Sequence, residues 1–464
     1  MRPAQTRTGD VVEAIRDRIA SRALSQGDKL PSIRAFAATL KVSPSTVVEA
    51  YDRLASEGVV HSRPGAGFYV SAGPVPRKLG AERPQADRAI DPLWVSRQSL
   101  DAASNALKPG CGWLPPEWMP NPLVRRAIRS LARADDTVLA DYSGARGSMD
   151  LRQLLTRRCA AEGLDVAPDQ ILLTGSGTQA IDLICRFLLR PGDTVLVDDP
   201  CYFNFQALLS VHDARIIGVP YTPTGPDTAL FAQALAEHRP RLYITNSAIH
   251  NPTGATMSPQ TAHRLLTAAT AHGLVIVEDD IFAEFEPEPS ARLAVFDGLS
   301  SVIRIGSFSK ALSASVRCGY IAARPDWIEA LVDLQVATSF GGASPVTAQL
   351  IFDVMMDSSY RRHVEALRRR LSGARRDAGA KLARLGFETW VTPRGGFNLW
   401  CRLPEGGKTA AQVARAALRE DMILAPGDVF SASRTAGDFM RFNVAQMQDP
   451  RTYETLKEAM RAPD

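Results

Sequence analysis

Five short apolar runs in the middle of the chain constrain the fold more than any other feature. They occupy 171–173, 194–197, 242–244, 274–277 and 302–305. Each is short, and with helical patterns between several of them, at 179–189 and 259–272 for example, they read as strands buried on both faces. That alternation predicts an α/β fold on a largely parallel sheet. Ligands of such sheets gather beyond the carboxyl ends of the strands, so functional residues are sought just after each run. The last hundred or so residues read as a smaller α+β lobe.

The 464 residues exceed one ordinary core, which predicts two or three domains. Residues 1–70 read as a separate unit. Val11, Ile15 and Ile19 have helical spacing, and Gly27 lies in a turn. Ser32 can cap a second helix that buries Ile33, Phe36, Ala37 and Leu40. Ser43 can cap a third, with Pro44 at its first position and Val47, Tyr51 and Leu54 inside. Residues 59–70 then read as strand, glycine turn, strand. Three helices and a hairpin are the parts of a winged helix-turn-helix. Residues 71–92, with Pro74, Pro76, Gly80, Pro84 and Pro92 among charges, read as a linker. Residues 93–464 hold the α/β pattern.

Charge is unevenly placed. Residues 1–80 carry 12 Lys plus Arg against 7 Asp plus Glu, a net of +5 that leaves the remainder at −1. A basic head on a near-neutral body fits contact with nucleic acid. No run of 18 apolar residues is present, so no membrane partner is expected, and Met1–Asp10 lacks the apolar core of a secretory signal. The six cysteines are scattered without a Cys-x-x-Cys pair, as in a cytoplasmic protein with reduced thiols, and no metal is expected.

In a helix-turn-helix the second helix enters the major groove of double-stranded DNA. Ser43, Ser45, Thr46 and Glu49 are the groove-facing candidates. Arg34 is placed for a phosphate. Arg63 lies at the wing turn, where Gly65 and Gly67 allow close approach to the minor groove. The series Gly27-Asp28-Lys29-Leu30-Pro31-Ser32-Ile33-Arg34, Val42-Ser43-Pro44-Ser45-Thr46-Val47, Ala50-Tyr51-Asp52-Arg53-Leu54 and Glu57-Gly58 resembles the GntR family of bacterial regulators. The family usually has arginine directly after the capping serine. Here that residue is Pro44, which leaves more of the backbone contact to Arg34 and Arg63.

The strand ends carry a second set of parts. Gly177 and Thr178, in Thr174-Gly175-Ser176-Gly177-Thr178-Gln179, can offer N–H groups and a hydroxyl to a phosphate at a helix N-terminus. Tyr202 follows Asp199-Pro200-Cys201. Asn251 begins Asn251-Pro252-Thr253-Gly254, Asp279 ends Val277-Glu278-Asp279, and Lys310 ends Ser307-Phe308-Ser309-Lys310 with Arg317 seven residues on. A lysine amine, a carboxylate for a pyridine nitrogen, an aromatic face and a phosphate cradle are what pyridoxal 5′-phosphate (PLP) requires.

This order resembles the fold-type I PLP-dependent aminotransferases. The resemblance implies Lys310 as the Schiff-base lysine, Asp279 at the pyridine nitrogen, Asn251 at the ring oxygen and Tyr202 above the ring. It places Gly177, Thr178, Ser307, Ser309 and Arg317 around the phosphate. Tyr142, in Tyr142-Ser143-Gly144-Ala145-Arg146-Gly147, matches the tyrosine lent to a neighbouring subunit. Arg441, in Met440-Arg441-Phe442-Asn443, matches the arginine that grips a substrate carboxylate. One position departs: the family usually has tyrosine three residues after the aspartate, and this chain has Phe282, which fits weak turnover. A GntR-type head joined to this domain resembles the MocR subfamily. That resemblance implies a DNA-binding regulator sensing a small amine or amino acid, arranged as a head-to-tail homodimer. The alternative is an active aminotransferase with an accessory DNA-binding head.

Overall fold

The computed structural model describes residues 7–462 apart from Arg22, Pro64 and 72–89. They form two units that divide within that last gap. In the first, α1 (Arg7–Ala20), α2 (Ile33–Leu40) and α3 (Pro44–Ser56) pack with a hairpin of β1 (Val60–Arg63) and β2 (Gly67–Val70). Apolar residues at helical spacing give the core. Val11, Ile15, Phe36, Val47, Tyr51 and Leu54 are buried, while Ile19, Ile33 and Leu40 cover its edge. Tyr51 meets Phe68 edge-on at 5.2 Å and donates its hydroxyl to the Pro31 carbonyl at 3.0 Å. Both helix starts are capped: Ser32 Oγ accepts from Ala35 N at 3.3 Å, and Ser43 Oγ from Thr46 N at 3.2 Å. Gly65 and Gly67 turn the hairpin at φ 73° and 102°, a region that favours glycine.

The second unit opens earlier than the sequence suggests. Ile90 is buried, Asp91 accepts from Trp94 N at 2.6 Å, and Pro92 is the first residue of the helix Pro92–Asp101. Residues 90–92, read as linker from their proline, are instead a buried anchor, a cap and the N1 proline.

Its main sheet has eight strands: β3 (Ile171–Thr174), β4 (Thr194–Asp199), β5 (Arg215–Thr222), β6 (Gly225–Pro226), β7 (Leu242–Thr245), β8 (Val275–Asp279), β9 (Val302–Ser307) and β10 (Gly319–Ala322). Their order is β3-β10-β9-β8-β7-β4-β5-β6. The run from β9 to β5 is parallel, and β10 lies antiparallel between β3 and β9. Ser307 pairs with Gly319, so the intervening segment leaves and re-enters the sheet at one end. That segment carries Lys310 and Arg317. Helices cover the sheet, including Gly177–Leu188 and Pro259–His272. The 27-residue helix Ser358–Arg384 leads to a smaller antiparallel sheet. There β11 (Glu388–Thr389), β12 (Asn398–Arg402), β13 (Ala425–Pro426) and β14 (Phe439–Asn443) run in the order β11-β12-β14-β13. Among the described residues no helix is long and apolar enough to cross a membrane.

Candidate functional site

The site lies at the carboxyl ends of β3, β4, β7, β8 and β9, closed from the small lobe by β14. Asp279 is the last residue of β8 and is buried. Its carboxylate accepts from Ile281 N at 3.2 Å, while Asn246 Nδ2 holds its backbone carbonyl at 2.8 Å. Burial pushes the Asp279 carboxyl up to about 7, against the pull of the Ile281 N–H and the nearby Lys310 charge.

Lys310 lies in the loop from β9 to β10. Its Nζ donates to the Gly112 carbonyl at 2.6 Å. Burial, and then the Arg441 and Arg317 charges, push its amine down to about 8, with Asp279 acting in the opposite sense. A desolvated lysine beside other cations keeps a larger share of neutral, nucleophilic amine near physiological pH than an exposed lysine does.

Arg441 is centred on β14, opposite Trp400 of β12 and Ala425 of β13, and is almost fully buried. It donates to Asn251 Oδ1 at 2.9 Å and to the Gly110 carbonyl at 2.8 Å, and its guanidinium lies 4.8 Å from the Phe430 ring centroid. Burial lowers it to about 10. No carboxylate among the described residues neutralises it, so the pocket holds a buried cation with only neutral acceptors. His250, next to Asn251 in the chain, stacks on Tyr221 at 3.7 Å and lies 3.3 Å from Asp198.

Tyr202 is partly buried against Phe203 and Phe205, and burial raises its phenol. At the end of β3, Ser176 caps the helix Gly177–Leu188 by accepting from Gln179 N at 3.0 Å. The Gly177 and Thr178 N–H groups lie in the first turn, where a helix leaves its donors without helical partners. Thr178 is exposed. β10 crosses close by. A Cβ on Gly319 would lie 2.7 Å from Gly177 N, so only glycine fits there. Ser307 Oγ meets the Cys318 carbonyl and Ser309 Oγ, each at 3.2 Å. Arg317 is exposed, with φ 47°.

Lys310, Asp279, Asn251, Tyr202 and Arg441 thus share one pocket, with Gly177, Thr178, Ser307, Ser309 and Arg317 at its rim. Tyr142 stands apart, 76% exposed and edge-on to Phe340 at 5.0 Å. Phe282 is buried among Phe285 and Phe397. The sequence reading left out the loop at 110–113. Its backbone carbonyls receive Arg441, Lys310 and, through Cys111 and Trp113, Asn443 Nδ2.

The donor set fits PLP. A largely desolvated amine lies near a buried carboxyl, and a helix N-terminus with two serines and an arginine would form a phosphate cradle. Lys310 would hold the cofactor covalently, and Asp279 would face its ring nitrogen.

On the first unit, Ser45 is exposed, Thr46 is partly covered, and Arg34 is exposed at the start of α2. The candidate hydroxyls are engaged with one another: Ser43, the cap of α3, has its Oγ 2.8 Å from both Ser45 Oγ and Thr46 Oγ1, and Glu49 accepts from Thr8 Oγ1 at 3.1 Å. The Arg63 guanidinium lies 4.6 Å from the Tyr69 ring centroid, and a Cβ on Gly65 would meet nothing within 4 Å.

Comparison with known proteins follows this division. The profile of aminotransferase class I and II matches residues 118–460, and that of the bacterial regulatory proteins of the gntR family matches residues 7–70. The HTH-type transcriptional regulator YdcR of Escherichia coli (strain K12), itself uncharacterized, is 29% identical over 458 residues, 97% of each chain. The 2-aminoadipate transaminase of Thermus thermophilus is 28% identical over 76% of this chain and 88% of its own. The crystal structure of LysN, the α-aminoadipate aminotransferase of the same organism, complexed with N-(5′-phosphopyridoxyl)-L-leucine, superposes with a TM-score of 0.72. It is 26% identical and covers 82% of this chain and 96% of that one. The chain belongs to the class I and II aminotransferase family, and it carries that domain behind a GntR-type head in the manner of the MocR regulators.

Proposed function

We propose that this protein is a transcription regulator that binds duplex DNA through its first unit and senses a small amine or amino acid at a PLP site in its second. The observation that carries this reading is the pocket itself. A lysine held near neutrality, a buried carboxyl and a buried arginine converge in a chain that also has a winged helix-turn-helix. When bound, PLP supplies an aldehyde that couples to amines and a ring that withdraws electrons from the coupled nitrogen. The protein's part is binding and orientation. Arg441, buried without a carboxylate partner among the described residues, favours a ligand bearing one, so amino acids are favoured over plain amines.

The second reading, an aminotransferase with an accessory head, draws on the same residues. Phe282 favours regulation, because a phenyl ring offers no hydroxyl to tune the site. The head-to-tail dimer is also part of this proposal, supported by the exposed pair Tyr142 and Phe340.

Borohydride reduction of the PLP-loaded protein, followed by peptide mapping, should place the cofactor on Lys310. Amino acids and amines that change its visible spectrum should also change its affinity for DNA, by about 5- to 150-fold for a typical coupling. Cofactor on another lysine would overturn the site. Spectral hits that leave DNA affinity unchanged while turning over with keto acids would favour the enzyme.

A further inference from the structure

The helix Ser358–Arg384 carries nine Lys and Arg against two acidic residues. The fold uses most of these cations. Arg368 donates to the Glu284 carbonyl at 2.7 Å, Arg375 donates to the Gly396 carbonyl at 2.5 Å, and Arg370 lies 3.6 Å from the Trp118 ring centroid. Lys381 pairs with Asp377, and Arg361 with Glu365.

Four arginines are left over, Arg384 in the last turn and three that form a stripe. Arg362, Arg369 and Arg376 recur every seven residues, on the side opposite the buried seam of Val364, Leu367, Leu371, Ala374 and Ala378. All three are exposed, and none pairs with a carboxylate among the described residues. Arg362 and Arg376 touch only Ser359 and Ser372 of their own helix, each at 3.1 Å. At 1.5 Å per residue the stripe is about 20 Å long.

Its far end opens on a recess of about 410 Å³, lined by Ser372, Arg375, Arg376, Thr389, Thr392 and Arg394 among others. Among the described residues the carboxylate paired with these guanidiniums is Glu288, 3.8 Å from Arg394 and itself 82% exposed. Burial and the adjacent Arg376 charge hold Arg375 below its ordinary pKa, which an anion in the recess would relieve.

We propose that this face of the second unit is an additional DNA-contact surface, taking the phosphate backbone of duplex flanking the site held by the first unit. The proposal rests on the regulator reading above. A stripe of about 20 Å is too long for one small anion, whereas duplex DNA presents a charge about every 1.7 Å along its axis. Guanidinium forks match phosphate oxygens two at a time. Because the units share one chain, duplex bound by one is offered to the other at raised effective concentration. Backbone contacts of this kind confer no sequence preference.

The test uses full-length, PLP-loaded protein and a duplex of random sequence, about 40 base pairs long, with affinity measured across salt concentrations. The triple variant Arg362→Gln, Arg369→Gln, Arg376→Gln keeps helix-forming residues on an exposed face. Its log–log salt slope should be shallower by about 2 to 3, with affinity near 0.1 M salt reduced by roughly 10²-fold. The head variant Arg34→Ala, Arg63→Ala should lose a separate slope of about 2. A triple variant with the wild-type slope, beside a head variant that loses its share, would overturn this surface and leave the regulator reading standing. Wild-type protein that binds no duplex would overturn both. Pyrophosphate that saturates the recess without competing with duplex would assign it to a small anion and overturn the proposal.

Discussion

Replacing Asp279 by Asn in the cofactor-free protein should abolish a pH dependence of stability. Burial raises this carboxyl from 3.8 to about 7. A group whose pKa rises on folding stabilises the fold while it is protonated. That contribution is complete below about pH 3.8 and is lost progressively as pH rises to about 7. The loss corresponds to roughly 4 kcal/mol by about pH 8, a large part of the stability of an ordinary domain. Asn has the shape of the neutral acid at every pH, so the variant escapes it. Urea unfolding of both proteins at about pH 4.5 and about pH 8 is the assay. The variant should gain on wild type by about 3 kcal/mol between the two values. Bound PLP should reverse the ranking, because a cationic ring nitrogen favours the carboxylate that Asn cannot supply. Equal pH dependence in the two cofactor-free proteins would refute the argument, since the carboxyl would then ionise as freely when folded as when unfolded.

Two further substitutions test the geometry. Gly319→Ala places a Cβ 2.7 Å from Gly177 N and 2.9 Å from the Gly306 carbonyl, so the helix N-terminus must shift. PLP affinity, followed by absorbance titration, should fall at least about tenfold, with far-ultraviolet circular dichroism kept; a tenfold loss corresponds to about 1.4 kcal/mol. Ser43→Ala removes the cap of α3 and should cost about 1 kcal/mol in thermal unfolding of the first unit. Ser43→Asp should restore that stability as an equally good cap yet weaken DNA binding by its charge. Normal DNA affinity in Ser43→Asp would place Ser43 away from the duplex.

Much of this was legible in the sequence because it rests on local physics. Ser43 before Pro44 marks a helix start without tertiary help, and the run at 302–305 reads as a strand because it is short, largely apolar and bounded by polar residues. Asp279 and Lys310 could be singled out because the ends of parallel strands share one edge. The remainder depends on contacts that no local pattern encodes. Residues 110–113 act through backbone carbonyls, which every residue possesses. Gly319 resembles any other glycine until β10 is inserted antiparallel beside the helix N-terminus. Residues 90–92 misled because proline is equally at home in a linker and at the first position of a helix. The fold's use of Arg368 and Arg375, and its neglect of Arg362 and Arg369, shows only when the helix is packed.

The carbonyls of Gly110 and Gly112 have a consequence for any ligand. Lys310 donates to Gly112 at 2.6 Å and Arg441 to Gly110 at 2.8 Å. Entry to the pocket is therefore an exchange of partners, not the filling of a void. A newcomer displaces neutral acceptors fixed by the chain and gains only the difference between its own bonds and theirs. A neutral carbonyl or hydroxyl would trade like for like. A carboxylate trades upward, since it adds an opposite charge to bonds whose donors are already cationic. Discrimination between anionic and neutral visitors is thus set before any visitor arrives, by the acceptors it must replace.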